Sequence, residues 1–461
     1  MPETPTHFSY FSGLLQSVAD RGRALVGIRR QEPLGVEALL ALSQKLLKGR
    51  GEASGAATAA LILDAYASLG AAEKRAFLIG AAERFGPDLE ALGAAARAFL
   101  EAPGPERAAN LADCAEPVRQ ELIRRLNHAP GGTLALVRMR EDLLDAVREG
   151  APLKSFDHDF HHLFTSWFNR GFLTLHRIDW TTPANILEKI IHYEAVHAID
   201  DWADLRRRLD PPDRRLYAFF HPAIGDEPLI FVEVALTATI SEAIQPLLAR
   251  ERASIPASAA TTAVFYSISN AQRGLAGVNF GNFLIKQVVE DLKREWPRLQ
   301  TFVTLSPAPG FAAWLQRERT DEDSTLLDAE ARRVLEIADD FRWTEKLEAR
   351  AEVARVLRPL AAHYFLKARD KVGRALDPVA RFHLGNGARL ERLNPHADLS
   401  DKGLKQSLGL MVNYLYDLDH IEQNHEAFAN RGEIAAAPAI KRLIAAAKPE
   451  PARKPSPQGA T

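Results

Sequence analysis

Residues 263–311 read AVFYSISNAQRGLAGVNFGNFLIKQVVEDLKREWPRLQTFVTLSPAPGF, and this stretch decides how the rest of the chain folds. It opens with a β-branched and aromatic run at 264–269 and passes through a loop holding Gly274, Gly277 and Gly281. From Phe283 to about Arg294 the apolar residues fall at helical spacing. A second short run, 301–305, stops at Ser306-Pro307-Ala308-Pro309-Gly310. The pattern predicts strand, glycine-rich turn, helix, strand. In such a unit glycine lets backbone N–H groups close on an anion, and the helix start adds the positive end of its dipole, so a phosphate has a seat there. Proline and glycine after Ser306 end the second strand and leave that hydroxyl at an open end, where sites in open α/β sheets lie. Read alone, the loop is also compatible with glycines that serve only chain reversal and close packing.

Outward from this stretch, a length of 461 residues permits two domains, since one core rarely grows beyond about 250 to 300 residues. Apolar residues at 46% and charged residues at 26% are ordinary globular values that allow a sizeable core. With Lys+Arg at 58 against Asp+Glu at 60, the net charge of −2 gives no general attraction to nucleic acid or anionic membrane, so an anionic ligand must be held by local groups. The one cysteine, Cys114, excludes an intramolecular disulfide and a multi-cysteine metal site, and fits a reducing cytoplasm. It has no histidine near it in sequence and reads as structural. No apolar run reaches the roughly 18 to 20 residues of a membrane helix, and the start lacks the order of a secretory signal. Arg21, Arg23, Arg29 and Arg30 point towards organelle import, but Glu3, Asp20 and Glu32 interrupt them, so a cytoplasmic location is expected. The Pro-rich, polar segment 446–461 is expected to be a disordered tail, and it lacks a terminal Ser-Lys-Leu.

Residues 34–149 read as helices and almost nothing else. Segments 34–47, 56–69, 71–85, 88–100, 116–126 and 132–147 carry apolar residues three and four apart, with Gly or Pro between most of them. Short links predict up-and-down packing, and no repeat period marks a solenoid. The expectation is an all-α bundle over residues 1–150 that serves as scaffold or subunit contact. After Glu149 the texture becomes β-like at 171–180, 215–221 and 229–236, with 222–228 joining the last two as a hairpin or a close relative of one, and 184–209 forming one or two helices. Five strands thus precede Ser306. A helical insertion at 321–371 separates them from two more at 388–393 and 410–417, which places the second domain at 151–445.

The strings FYSISNAQRGLAGVNFGNFLIK, TFVTLSPAPGF, ARFHLGNGARLERLN and GLMVNYLYD together resemble the malonyl-CoA decarboxylase family over roughly residues 154–417. The strand order with a glycine turn before a helix also resembles the acyl-CoA N-acetyltransferase superfold. The implied architecture is α+β: an N-terminal all-α bundle, then an acetyltransferase-like (GNAT-type) mixed-sheet catalytic domain with a helical insertion. The superfold signature Gln/Arg-x-x-Gly-x-Gly/Ala aligns on Ala276-Gly277-Val278-Asn279-Phe280-Gly281, which keeps the final glycine but lacks the leading basic or amide residue and one glycine. The resemblance implies that coenzyme A is held at Ala276, Gly277, Val278, Asn279, Phe280, Gly281 and Asn282. It implies that Ser306 and His383 are catalytic, with Asn279 and Tyr416 in support. Some family members carry a carboxylate where this chain has Asn279, so an amide hydrogen bond is all that position offers. Malonyl-CoA is the implied substrate, acetyl-CoA and CO2 the products, homo-oligomerisation through the helical domain the implied assembly, and no cofactor or metal is needed.

Read without the resemblance, Ser306 is a turn residue before proline, outside the Gly-x-Ser-x-Gly setting of a hydrolase elbow. His383 lies among apolar neighbours at a glycine-marked helix end; it is either a buried hydrogen-bonded histidine or an acid–base group suited to neutral pH. Arg273 and Lys286 can meet phosphates or simply face solvent. Two clusters imitate metal sites. The histidines of His192-Tyr193-Glu194-Ala195-Val196-His197 sit roughly 140° apart on a helix, and adjacent side chains of Asp157-His158-Asp159-Phe160-His161-His162 diverge, so both read as structural or surface groups. Two other functions stay open: an acyl-CoA-dependent acyltransferase, which also needs an acceptor pocket, and a non-catalytic acyl-CoA sensor.

Overall fold

The structure, a computed structural model, describes residues 34–446 apart from 279–282 and 323. The chain gathers into two compact units. One comprises residues up to 174 together with 219–230 and 270–280; the other comprises 175–218, 231–269 and the residues from 281 onward.

The first unit is helical through most of its length. The six expected helices are present as Val36–Lys48, Glu52–Ser68, Ala71–Arg84, Leu89–Glu101, Val118–Leu126 and Gly132–Arg148. Their apolar stripes bury Leu39, Leu40, Ile62, Phe77, Leu78, Leu122, Ile123, Leu136 and Leu143. Among the described residues, two further helices lie outside the six segments that the sequence reading bounded. Pro105–Ala115 starts on a proline at its first turn and buries no residue, so no apolar stripe announces it. Lys154–Trp167 buries Phe156, Phe160, Leu163 and Phe164 at helical spacing, with Asp and His residues interleaved.

Among the described residues the sheet has eight strands: β1 (Thr174–Ile178), β2 (Arg214–Phe220), β3 (Pro228–Thr237), β4 (Thr262–Asn270), β5 (Thr301–Thr304), β6 (Ser306–Pro307), β7 (Arg389–Asn394) and β8 (Met411–Leu415). Their order is β1-β2-β3-β4-β5-β8-β6, with β7 paired to β8. The sheet is mixed, since β4 and β5 run parallel from Thr262↔Thr301 to Phe265↔Thr304 while β8 is antiparallel to β5, β6 and β7. A parallel pair needs a crossover, and the helix Phe283–Glu295 supplies it. The expected strand, turn, helix, strand unit is therefore real. Val264, Tyr266, Val303, Leu305 and Met411 form one buried cluster with Ala235, Ile244, Leu247 and Ala397. The helical insertion is present too, as Phe311–Thr320, Ala329–Ala338, Leu347–Leu366 and Pro378–Gly385 between β6 and β7.

One expectation needs correcting. Ser306 is not at an open strand end: it begins β6, pairs with Val412 of β8, and is only 6% exposed. Proline at 307 is tolerated because the pairing there lasts two residues.

Candidate active site

Ser306 and His383 lie 77 positions apart and meet, with Ser306 Oγ 3.0 Å from His383 Nε2. Three pieces of local structure bring them together. The β5–β6 segment presents Thr304 and Ser306 two residues apart, and the Ser306 hydroxyl donates to Thr304 Oγ1 at 2.9 Å. His383 stands on the helix Pro378–Gly385, whose start is capped by Asp377 accepting from the N–H groups of Val379 and Ala380 at 2.9 Å each. Strand β8 and the residue just past it supply Tyr414 and Tyr416. The Tyr414 ring stacks on the imidazole with centroids 4.6 Å apart, and the Tyr416 hydroxyl lies 2.8 Å from Nδ1.

Asp377 also ties the two halves together. Its other carboxylate oxygen accepts from the Tyr364 hydroxyl at 3.1 Å and from the N–H of Gly310, at the end of the Ser306 loop, at 3.5 Å. A Cβ at Gly310 would come within 2.5 Å of the Tyr364 hydroxyl, so only glycine lets that loop approach. The cap that orders the histidine's helix thus also fixes the serine's loop.

The hydrogen bonds define a direction. Thr304 Oγ1 accepts from the N–H of Tyr414 at 3.2 Å and from the Ser306 hydroxyl. With its proton committed to Thr304, Ser306 Oγ can accept from Nε2–H, which leaves Nδ1 to accept from the Tyr416 hydroxyl. His383 is 2% exposed, and burial alone pushes its pKa down to about 3. Burial likewise raises the Tyr416 phenol well above its ordinary value. The relay Tyr416, His383, Ser306, Thr304 is therefore uncharged at neutral pH. The near-neutral titration that made His383 attractive from sequence is absent; what the position offers is a neutral N–H donor. Where a hydrolytic triad has a carboxylate behind the imidazole, the described residues place the Tyr416 phenol.

Of the expected coenzyme A turn, Asn279, Phe280, Gly281 and Asn282 lie outside the described residues. Ala276 and Gly277 are exposed, and Val278 is buried. Gly277 has φ of +80°, a conformation that favours glycine. Arg273 and Lys286 are not unpaired cations. Arg273 meets both oxygens of Asp145 at 2.8 Å, and Lys286 meets Glu422 at 2.6 Å.

The two imitation metal clusters resolve differently. The helix holding His192 ends at Tyr193, so His197 is not on it at all; burial pushes His197 down to about 4. Glu194 between them accepts from the hydroxyls of Ser267 and Ser269 and from the N–H groups of Val196 and His197. In the other cluster, Asp159 is buried against Arg119 and Gln120, while Asp157 and His161 share a face one turn apart. Among the described residues no group of three or more such side chains converges on a metal position. Sequence reasoning missed Thr304, Tyr414 and Asp377. Thr304 sits two residues before Ser306 on one strand face, and Asp377-Pro378 opens a helix, which were the available signals.

Comparison with known proteins assigns the chain. Residues 171–454 match the profile described as "Malonyl-CoA decarboxylase C-terminal domain", and residues 85–168 match "Malonyl-CoA decarboxylase N-terminal domain". The crystal structure of a malonyl-CoA decarboxylase from Rhodopseudomonas palustris is 61% identical and superposes with a TM-score of 0.86, covering 89% of this chain and 100% of that one. One from Agrobacterium vitis is 57% identical with a TM-score of 0.83, covering 88% and 99%. The mitochondrial malonyl-CoA decarboxylase of Anser anser anser is 35% identical over 412 residues, 82% of this chain and 81% of that protein. With both domain profiles matched in order and relatives alike over most of their length, the chain belongs to the malonyl-CoA decarboxylase family.

Proposed function

We propose that this chain is a carboxy-lyase converting malonyl-CoA to acetyl-CoA and CO2, with Ser306 and His383 as the reacting pair and Tyr416 behind them. The bond between C2 and the carboxylate breaks, its electron pair moves into the thioester carbonyl as an enolate, and CO2 leaves. The enolate then takes one proton at C2. His383 supplies that proton from Nε2, with Ser306 orienting the malonyl group and passing the proton along, and Tyr416 donating to Nδ1 as Nε2 empties. One proton from solvent returns to the Tyr416 phenol, so the net reaction is malonyl-CoA plus H+ giving acetyl-CoA plus CO2.

The observation that carries this reading is the buried, uncharged relay. Hydrolysis or acyl transfer through serine asks for a base that draws off the serine proton; here that proton is directed to Thr304, and the imidazole has a proton to give. A neutral, buried site also disfavours the substrate carboxylate more than the dispersed charge of the departing CO2 and enolate. Glycine-turn contacts at Ala276–Asn282 hold the coenzyme A phosphates in this scheme, and Asn279 offers an amide hydrogen bond. No metal enters it. Residues 1–150 act as a scaffold through which copies associate, residues 151–445 carry the chemistry, and the single cysteine fits work in a reducing cytoplasm. Among the described residues no helix is long and apolar enough to cross a membrane.

The test is incubation with malonyl-CoA alone, in D2O with a chelator present. Acetyl-CoA bearing one deuterium at C2, together with CO2, is expected. Free malonate with coenzyme A, a requirement for an amine acceptor, or binding without turnover would each replace this reading with another.

A further inference from the structure

The segment 270–280 belongs by its contacts to the helical unit, and the side chains that take hold of it come from two helices there. Arg140 of the helix Gly132–Arg148 is 2% exposed, and its Nη1 donates to the carbonyls of Gly274 at 2.8 Å and Ala276 at 2.9 Å. Its Nε donates to Asp157 Oδ1 at 2.8 Å, which sets the plane of the guanidinium. Glu141 Oε1 accepts from the N–H of Gly274 at 3.2 Å, and His161, one turn beyond Asp157, places Nε2 at 3.1 Å from the carbonyl of Gly277. Val137 lies so close that a Cβ on Gly274 would come within 1.9 Å of its carbonyl oxygen. A buried arginine shared between two carbonyls and a carboxylate is a costly arrangement, worthwhile where a geometry must be fixed.

The geometry fixed is the direction of a peptide plane. In a trans peptide the C=O and the following N–H point opposite ways, so drawing the carbonyl of Ala276 onto Arg140 turns the N–H of Gly277 away from it. Gly277 is exposed, and among the described residues its N–H has no acceptor. Its φ of +80° lets its own carbonyl turn to His161. Leu275 and Val278, by contrast, spend their N–H groups within the turn, on Gln272 and Leu275.

We infer that Arg140, oriented by Asp157 and assisted by His161, is a positioning residue for substrate binding: it holds the turn Gly274–Val278 so that the Gly277 N–H meets a phosphate oxygen of the coenzyme A moiety. The helical unit then contributes to substrate affinity as well as to association. This rests on the reading of the turn as the coenzyme A seat.

The experiment compares the full-length parent with Arg140→Lys, Asp157→Asn and His161→Ala. Lysine keeps the charge but cannot bridge two carbonyls and a carboxylate in one plane. For Arg140→Lys we expect KM for malonyl-CoA and Kd for coenzyme A to rise at least about tenfold, the effect of losing one oriented donor to a charged group, with kcat within about twofold. The other two variants shift the same way by less, and they decide the matter if Arg140→Lys does not fold. Hydrogen exchange by mass spectrometry on the parent supplies the independent arm. If coenzyme A does not slow exchange in the peptide containing Gly277, the turn is not the seat and the underlying reading falls. If it does, and folded variants bind coenzyme A like the parent or lose kcat at unchanged KM, the positioning role is overturned.

Discussion

At the scale of single residues, the proposed mechanism has Ser306 and His383 act on one transition state. Losing a general acid costs about 10²- to 10⁴-fold and losing one oriented donor about 10²- to 10³-fold. His383→Ala and Ser306→Ala are each expected to lower kcat by at least about a hundredfold in folded protein, and the double substitution by less than the product. Steady-state kinetics with circular dichroism checks this; a folded single variant that keeps more than about a tenth of the parent kcat removes that residue from the mechanism. Because burial pushes His383 down to about 3, its protonation should leave no acid limb near pH 6.5 in the kcat profile. Such a limb, absent in His383→Gln, would show that the imidazole titrates in the working enzyme. Ser306 and His383 were singled out through motif resemblance, and the structure sets them 3.0 Å apart. The protonation state was not legible, because it follows from burial against Tyr414 and Tyr416, which a distant part of the chain brings to the imidazole.

At the scale of elements, the strand, turn, helix, strand unit was readable because β-branched alternation, glycines and a helical apolar stripe agree with one another. The two-residue β6 was not readable, since its pairing depends on β8 more than a hundred residues later, and Pro307 argued against a strand. Asp377 was equally hidden. Its sequence neighbourhood announces a helix start, but its second role, holding Gly310 and Tyr364, is purely tertiary. Asp377→Ala should therefore do two things: destabilise the fold by about 1 kcal/mol through the lost cap, with a further 1–3 kcal/mol for the stranded Tyr364 hydroxyl, and lower kcat by loosening the approach of Ser306 to His383. Asp377→Asn keeps an accepting oxygen for the cap and should retain most of both. Urea unfolding and turnover of the two variants measure this, and equal kcat in Asp377→Ala and parent would separate the cap from the chemistry.

At the scale of the whole molecule, neutral buried histidines make stability depend on pH. An unfolded histidine takes a proton near pH 6.5, whereas His197 refuses one until about 4 and His383 until about 3. The unfolded chain thus binds more protons below pH 6.5, so the contribution of each is intact above that value and is lost as pH falls towards the folded pKa, at about 1.4 kcal/mol per pH unit. Glu233, which burial pushes up to about 7 against the pull of Arg208, acts in the opposite sense below that pH. The comparison that isolates the histidines is therefore parent against His197→Gln and His383→Gln. The stability lost between pH 7 and 5 in urea titrations should be smaller in each variant, and identical losses would mean that neither histidine stays neutral in the fold. A helical first part was legible from periodicity alone. That its compact unit also claims 219–230 and 270–280 was not; for the second of these the fixing residue, Arg140, reads as one of several charges in Arg138-Met139-Arg140-Glu141-Asp142 until the carbonyls it meets are known.

That discontinuity has a consequence for how the chain is made. Arg140 finds Asp157 only 17 positions on, but the carbonyls that complete its shell arrive 134 and 136 positions later. At about 5–20 residues per second, on the order of ten seconds of synthesis separates the emergence of Arg140 and Asp157 from that of those two carbonyls. The helices can assemble early, yet their last buried cation is satisfied only when β4 and the turn after it have been synthesised. Birth order therefore makes the helical unit the mould and the glycine turn the part pressed into it.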